Sequence, residues 1–253
     1  MRPPPQLVLL DVDFTLIRPR RVFDARGYAE LGARFGARLD PERYEQARAD
    51  AFHVWRTESL EHRAAQHRRF AIEIVRGMGA GEAVAEQIGE AAEQAWGDPG
   101  NFELFPDVVP LLELLRSAAC TVGLVSNTDR ELEPFAAELG IGVDFALASS
   151  AHGRRKPCST IFAAALALGG ATATETVMIG DNIDDDIAGA LACGVRAVLV
   201  DRNDRHPDYD GERVHGLAEL PPLLGLVAEA RVRPRRVARP AWPRDRSARS
   251  PGS

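Results

Sequence analysis

The chain has few of the features that mark secreted, disulfide-rich or membrane-spanning proteins. Its three cysteines are widely separated and odd in number, which fits neither a disulfide framework nor a zinc-ligand pattern. We therefore expect a reducing cytoplasm. No apolar run approaches the roughly 18 residues of a membrane-spanning helix. The opening MRPPPQ is too short and too polar for a secretory signal, so we expect none.

Lysine is almost absent, and the charge of the chain is unevenly distributed. Of the 31 basic residues only Lys156 is a lysine. The net charge is −6, but residues 231–253 contain eight arginines and one aspartate, so the rest of the chain carries −13. An acidic body argues against nucleic acid as the substrate and suits a site that collects a divalent cation.

The ten residues from Leu7 to Leu16, LVLLDVDFTL, hold the most informative pattern of the sequence. Four consecutive apolar residues without polar alternation predict a strand that is buried on both faces of a parallel sheet. Asp11 and Asp13 follow at once and would project into the crevice at the carboxyl edge of the sheet, where α/β proteins bind ligands. Because two carboxylates this close disfavour each other's ionisation, we expect a cation near them.

A long stretch between about Asp24 and Gly97 has the apolar periodicity of helices. Asp40-Pro41 is a strong helix start, since aspartate caps a first turn and proline fits the first helical position. One short helix is predicted before it and three apolar stripes after it. The short helix contains Tyr28, Leu31 and Phe35, and the stripes are Tyr44, Ala47, Ala51 and Trp55, then Leu60, Ala64, His67, Ala71, Ile74 and Met78, then Val84, Ile88, Ala91 and Ala95. We expect an all-helical insert, closed by turn residues 98–101.

After Phe102 the predicted strands alternate with predicted helices. The strands are CTVGLVS, FALAS, ETVMIGD and RAVLV, and the helices cover about 107–118, 129–139, 159–168 and 185–193. This βα alternation predicts an α/β fold, a doubly wound parallel sheet with right-handed crossovers and helices on both faces. Because the helical insert follows the first strand, we expect it to lie over the carboxyl edge as a lid.

Polar residues recur where these strands end. Ser126 and Asn127 end the second strand, Lys156 lies in the loop after the third, and Asp181 ends the fourth. The segments DVDFTL, SNTD, KPCSTIF and GDNIDDD, in this order and context, resemble the four motifs of the haloacid dehalogenase (HAD) superfamily. The resemblance is to the phosphatase branch with a helical cap after the first motif, and it extends over about residues 7–226.

The resemblance implies a Rossmann-like core and a role for each motif residue. Asp11 would be the nucleophile that takes up a phosphoryl group, and Asp13 would be the general acid and then the base. Lys156 would pair with the nucleophile and the phosphoryl group. The phosphate-binding residues would be Thr15, Ser126, Asn127 and Lys156.

The resemblance also implies a Mg2+ cofactor. Asp11, the main-chain carbonyl of Asp13 and Asp181 would hold the ion, with Asp186 supporting it directly or through water. Asp185 is the alternative to Asp186, because the fourth motif occurs with either spacing. Mg2+ takes hard oxygen ligands and keeps several waters, which suits two carboxylates and a phosphate.

The residue chemistry agrees with phosphoryl transfer. A carboxylate can form an acyl phosphate that splits hydrolysis into two steps, and the reaction needs charge neutralisation more than covalent help. Lys156 is the single lysine of an arginine-rich chain, which indicates a position where a compact ammonium fits and a planar guanidinium does not. Asp13 favours phosphatase over dehalogenase chemistry, and phosphomutase activity remains an alternative. Phe14 and Cys158 depart from the glycine and the acidic residue that are frequent in the first and third motifs.

We divide the chain into a HAD core of residues 1–18 and 100–230, a helical cap of residues 19–99 and a tail of residues 231–253. The tail is rich in Arg, Pro and Ser and is predicted to be disordered. The expected partner is a small phosphorylated metabolite, with no membrane and no nucleic acid unless through the tail. A non-catalytic binding protein that docks through this basic tail is the alternative of another class.

Overall fold

The computed structural model describes residues 3–55 and 59–226. Our prediction of a disordered tail at residues 231–253 lies outside the described residues. Within them, no helix combines the length and the apolar character that a bilayer crossing requires.

Strands of the described residues form a parallel sheet and a separate antiparallel pair. They are β1 (Leu7–Leu10), β2 (Ile17–Pro19), β3 (Phe102–Leu104), β4 (Thr121–Ser126), β5 (Phe145–Ala148), β6 (Thr176–Gly180), β7 (Arg196–Val200) and β8 (Arg213–Val214). The sheet has the order β5-β4-β1-β6-β7-β8, and every neighbouring pair in it is parallel. The predicted α/β fold is confirmed.

Helices occupy connections between these strands and also follow the last strand. They are α1 (Ala25–Arg34), α2 (Tyr44–Ala51), α3 (Gln66–Gly77), α4 (Glu82–Gly97), α5 (Val108–Ser117), α6 (Leu132–Glu138), α7 (Ser149–His152), α8 (Ser159–Gly169), α9 (Gly189–Ala192) and α10 (Leu220–Leu223). Short 3-10 helices cover Arg21–Phe23, Pro41–Arg43, Phe52–Trp55, Pro99–Asn101, Ala173–Glu175 and Leu217–Glu219, and a π-helical turn covers Ile183–Ala188.

Strand β1 is covered on both faces, as its unbroken apolar run predicts. Val8 and Leu10 pack in one apolar cluster with residues of α5 and α6. Leu7 and Leu9 pack in a second cluster with residues of α8. Because successive side chains of a strand point to opposite faces, these two clusters place helices on both sides of the sheet.

Helices α1 to α4 lie between β2 and β3 in the chain and pack mainly on one another. Their shared apolar core contains Tyr28, Leu31, Leu39, Tyr44, Ala47, Ala51, Ala71, Ile72, Ile74, Val75, Met78, Ala85, Ile88 and Ala92. The predicted start at Asp40-Pro41 is confirmed, since the Asp40 carboxylate accepts a hydrogen bond from Glu42 N at 3.0 Å. We call residues 20–101 the helical insert.

The second helical stripe begins later than its periodicity predicts. Helix α3 starts at Gln66, so Leu60 and Ala64 lie in the preceding loop. Leu60 O accepts a hydrogen bond from Arg155 N at 2.9 Å, and His62 N donates to Gly153 O at 3.0 Å. These bonds to another part of the chain hold the loop in a non-helical conformation.

Other boundaries differ because of contacts that are distant in sequence. Strands β2 and β3 were not predicted; they pair antiparallel where the chain enters and leaves the insert. Helix α6 begins at Leu132 instead of Asp129, whose carboxylate oxygens contact His62 Nε2 at 2.7 Å and Ala65 N at 3.1 Å. After β6 the chain forms the π-helical turn, capped by Asn182, where a regular helix was predicted from Asp185.

Candidate active site

The carboxyl ends of three adjacent strands bring the predicted residues to one edge of the sheet. Leu10, the last residue of β1, pairs with Leu124 of β4 and with Ile179 of β6. Asp11 follows directly after β1, and Asp181 follows directly after β6. This edge is where a doubly wound sheet binds its ligand.

The buried ammonium of Lys156 lies between two carboxylates. Its Nζ donates hydrogen bonds to Asp11 Oδ1 at 2.6 Å and to Val125 O at 2.7 Å. Nζ is also 2.6 Å from Asp186 Oδ1. Burial alone would lower the pKa of Lys156, but the charges of Asp11 and Asp186 outweigh it and the pKa is raised. Lys156 is therefore charged at neutral pH.

Three carboxylates converge at this position. One oxygen from each of Asp11, Asp181 and Asp186 lies within 4.8 Å of the other two. Burial, followed by the charges of Asp11 and Asp186, raises the pKa of Asp181 to about 8. Burial also raises the pKa of Asp186 to about 7, although Lys156 opposes this rise. Three ionised carboxylates carry more negative charge than Lys156 alone offsets, so full ionisation of the group requires a further cation.

The chemistry of this group fits Mg2+. Carboxylate oxygens are the hard ligands that Mg2+ prefers. Asp186 Oδ1 is buried and forms an ion pair with Lys156 Nζ at 2.6 Å. A divalent cation would supply the missing positive charge and could use this oxygen.

Asp13, the second aspartate of the first motif, pairs with the guanidinium of Arg130. Arg130 Nη1 donates to both carboxylate oxygens of Asp13, each at 2.9 Å. Burial raises the pKa of Asp13 and Arg130 lowers it; the balance is a pKa above the usual value. The Asp13 side chain therefore faces Arg130, and it is not one of the three carboxylates that converge among the described residues.

The predicted phosphate-binding residues Thr15, Ser126 and Asn127 differ in their contacts. Thr15 is fully buried and its hydroxyl donates to Asp11 Oδ2 at 3.3 Å. Ser126 is buried at the end of β4. The Asn127 side chain binds the main chain of Lys156, accepting from its N at 2.7 Å and donating to its O at 3.0 Å. In this structure Asn127 thus positions the lysine.

The two acidic residues considered for the fourth motif are used differently. Asp185 Oδ2 accepts from Arg155 Nη2 at 2.8 Å and from Asn127 Nδ2 at 3.1 Å. Asp186 belongs to the carboxylate group with Asp11. Of the two, the structure brings Asp186 to the candidate metal ligands.

The pattern of a known hydrolase family matches most of the chain. Residues 5–194 match the haloacid dehalogenase-like hydrolases. The chain belongs to this family. It is therefore an enzyme of the hydrolase class, and the four-motif resemblance is confirmed at the level of the family.

Two curated relatives of this HAD hydrolase are phosphatases. Ribulose-1,5-bisphosphate 5-phosphatase of Halopiger xanaduensis is 31% identical over 205 residues, which cover 77% of this chain and 84% of the relative. Phosphoserine phosphatase of Thermus thermophilus is 28% identical over 243 residues, 85% of this chain and 97% of the relative. The magnesium-bound HAD-hydrolase YfnB of Bacillus subtilis shares the fold, with a TM-score of 0.67 and 18% identity over 87% of this chain and 99% of its own.

Three arginines at the site of this HAD hydrolase were missed by the sequence prediction. Arg130 binds Asp13, Arg155 binds Asp185, and Arg205 Nη2 lies 3.2 Å from Asp181 Oδ2. Arg130 and Arg155 adjoin predicted motifs, and that adjacency is the signal that could have identified them. Arg205 lies on the loop after β7 and adjoins no motif.

Proposed function

We propose that this HAD hydrolase is a Mg2+-dependent phosphatase that acts on a small phosphorylated metabolite through an aspartyl-phosphate on Asp11. One observation carries the proposal. The Asp11 carboxylate is held by Lys156 and Thr15 within a group of metal-binding type, and the nearby Asp13 carboxyl group has a separate cationic partner. A nucleophile and a proton donor are thus held by different cations.

In the first step an oxygen of Asp11 attacks phosphorus and the bond from phosphorus to the leaving oxygen breaks. Asp13, in its protonated form, gives its proton to that oxygen, so the alcohol departs neutral. Lys156 offsets charge on the phosphoryl oxygens and on Asp11. The burial that raises the pKa of Asp13 favours the protonated form that this step requires.

In the second step a water molecule attacks phosphorus and the bond to Asp11 breaks. Asp13, now ionised, accepts the proton of that water, and inorganic phosphate leaves. The carboxylate of Asp11 and the proton of Asp13 are both restored. Ser126 would donate a hydrogen bond to a phosphoryl oxygen throughout.

The residues that would hold Mg2+ are Asp11, Asp181 and Asp186, with the main-chain carbonyl of Asp13. When bound, the ion supplies positive charge against the phosphoryl oxygens. This assignment is supported by the convergence of one oxygen from each of Asp11, Asp181 and Asp186, which together carry more negative charge than Lys156 offsets when they are ionised.

The names of two relatives and the charge of the chain support the proposed substrate class. Both curated relatives are named for small phosphorylated molecules, and the acidic body disfavours nucleic acid.

We assign residues 19–99 as the cap over the site. Contacts of His62 with Asp129 and of Leu60 with Arg155 support this, because they join the insert to loops at the site edge. All three cysteines are unpaired, which supports a cytoplasmic location.

The test is hydrolysis of p-nitrophenyl phosphate with and without Mg2+, by wild type and by Asp11→Asn. We expect turnover that needs the metal and falls by about a thousandfold or more in the variant, because the nucleophile is lost. The matched control is Asp184→Asn, an exposed residue of the same acidic run, which should keep its activity. Wild-type protein that releases no phosphate from this ester or from a panel of phosphorylated metabolites would contradict the proposal.

A further inference from the structure

The guanidinium of Arg130 is buried in an aromatic surround. Its side chain is only 3% exposed. Its central carbon lies 4.9, 4.6 and 4.4 Å from the ring centroids of Trp96, Phe102 and Phe135. Because a guanidinium is planar and weakly hydrated, it packs favourably against the faces of aromatic rings. A buried charge is nevertheless costly unless it is paired, so its partners matter.

The partners of Arg130 come from the site and from the insert. Nη1 donates to both oxygens of Asp13 at 2.9 Å, and Nε donates to the main-chain oxygen of Trp96 at 2.9 Å. Arg130 N donates to Thr128 Oγ1 at 3.1 Å, which fixes the start of the side chain. Because one nitrogen binds both Asp13 oxygens, the orientation of that carboxyl group depends on where Arg130 lies.

Trp96 links this arginine to the packing of the insert. It lies in the last turn of α4, and its ring stacks on His67 of α3 with 4.0 Å between centroids. The same ring packs edge-on against Phe23, 4.8 Å away, and against Phe102, 5.0 Å away. A displacement of α4 would therefore move both an aromatic face and the hydrogen-bond acceptor of Arg130.

We propose that Arg130 is a positioning residue for proton transfer: it orients the Asp13 carboxyl group, and Trp96 of the insert sets the position of Arg130. The inference rests on the proposed phosphatase function, since it assigns Asp13 the proton-transfer role. Arg130 itself touches neither phosphorus nor the leaving group. It acts through Asp13, so its contribution to the rate is largest for esters whose leaving oxygen is most basic and most needs a proton.

The test compares two esters of similar shape, p-nitrophenyl phosphate and phenyl phosphate. The nitrophenolate departs readily without a proton, whereas the more basic phenolate depends on general-acid assistance. We measure kcat/KM, which reports the step in which the leaving group departs. Arg130→Met should lower kcat/KM for phenyl phosphate about tenfold more than for the nitrophenyl ester, and Asp13→Asn should show the same selectivity. Equal losses for both esters would overturn the inference.

A double-variant comparison separates action through Asp13 from a general structural effect. In the Asp13→Asn background, Arg130→Met should lower phenyl phosphate turnover by less than about twofold further, because the group that it positions is already disabled. Losses that multiply would overturn the inference. The control is Arg196→Met, which removes a partly buried arginine that begins β7 and pairs with Glu212; it should leave the ratio of the two esters unchanged.

Two further variants and one control address misfolding and the link to the insert. If Arg130→Met does not fold, Arg130→Lys, which keeps the charge but lacks the planar guanidinium, should fold. Its ratio of kcat/KM for the two esters should lie between those of wild type and Asp13→Asn. A ratio equal to that of wild type would count against the proposal. Trp96→Leu should shift the ratio in the same direction, whereas Trp55→Leu, a tryptophan whose ring neighbours are His67 and Phe70, should not. Wild-type protein that hydrolyses neither ester would overturn the proposed function and this inference together, whereas equal losses in an active protein overturn this inference alone.

Discussion

Lys156 shows at the scale of one residue why a chain so rich in arginine keeps one lysine. Its side chain is about as buried as that of any core residue, and its Nζ has Asp11 Oδ1, Asp186 Oδ1 and Val125 O within 2.7 Å. An ammonium presents three donors around one small nitrogen, whereas a guanidinium spreads five over a plane. The three neighbours converge on a point, so the site suits the smaller group.

Lys156→Arg should therefore fold less stably and lose most of its activity. Inserting a larger group into this packed position should cost about 1–3 kcal/mol of stability. We expect kcat with p-nitrophenyl phosphate to fall about a hundredfold, because the guanidinium displaces Asp11. The matched control is Arg154→Lys, a swap at a half-exposed neighbour, which should change neither value. Retention of more than half of the activity by Lys156→Arg would contradict this account.

Strand β6 and the π-helical turn after it act as one element, and Gly180 lies where they join. A Cβ at Gly180 would lie 2.2 Å from Asp186 Oδ2. That oxygen accepts a hydrogen bond from Asn182 N at 3.1 Å, so it belongs to the turn itself. The strand can place Asp181 and Asp186 together only because residue 180 has no side chain.

Gly180→Ala should consequently displace Asp186 and weaken Mg2+ binding. We expect the Mg2+ concentration for half-maximal activity to rise about tenfold or more, while the far-ultraviolet circular dichroism spectrum stays that of a folded α/β protein. Gly81→Ala, where a Cβ would meet no atom within 4 Å, is the matched control and should behave as wild type. An unchanged Mg2+ requirement in Gly180→Ala would show that Asp186 is not needed for the metal.

At the scale of the elements, sequence patterns predicted whether a segment is a helix or a strand more reliably than they predicted the residues at which it begins and ends. Asp40-Pro41 and the apolar run of β1 depend on neighbouring residues only, and both are present as predicted. The stripe beginning at Leu60 has equally good helical spacing, yet its first residues are bound to the loop around Gly153 and Arg155. Spacing does not show which backbone groups have a more distant partner, so such a boundary is not predictable from the pattern.

For the whole molecule, the carboxylate group links stability to pH and to Mg2+. The pKa of Asp181 rises from 3.8 to about 8 on folding, and that of Asp186 to about 7. The metal-free folded protein therefore holds protons that the unfolded chain has released. The stability of the metal-free protein should fall as the pH rises from about 4 to about 8. Over this range the unfolded chain has already released these protons, whereas the folded protein still binds them.

Mg2+ should offset this loss, because it binds the ionised carboxylates of the folded state alone. We expect millimolar Mg2+ to raise the melting temperature, and to raise it more at pH 8 than at pH 6. Asp181→Asn should lose most of the increase, and Asp184→Asn should keep it. No increase, or an increase that is equal at both pH values, would contradict the assignment of the metal to this group.

The alternation of strands and helices, the buried central strand and the four motifs that carry Asp11, Ser126, Lys156 and Asp181 could all be predicted from the sequence. These features are local: an apolar run or a capping residue expresses its preference within a few residues. The pairing of charged side chains could not be predicted in this way, because it depends on how distant segments pack. Asp13 and Arg130 are 117 residues apart in the chain, and no periodicity relates them. Their pairing depends on the packing of Arg130 against Trp96 of α4 and Phe135 of α6, beside the acid of the first motif.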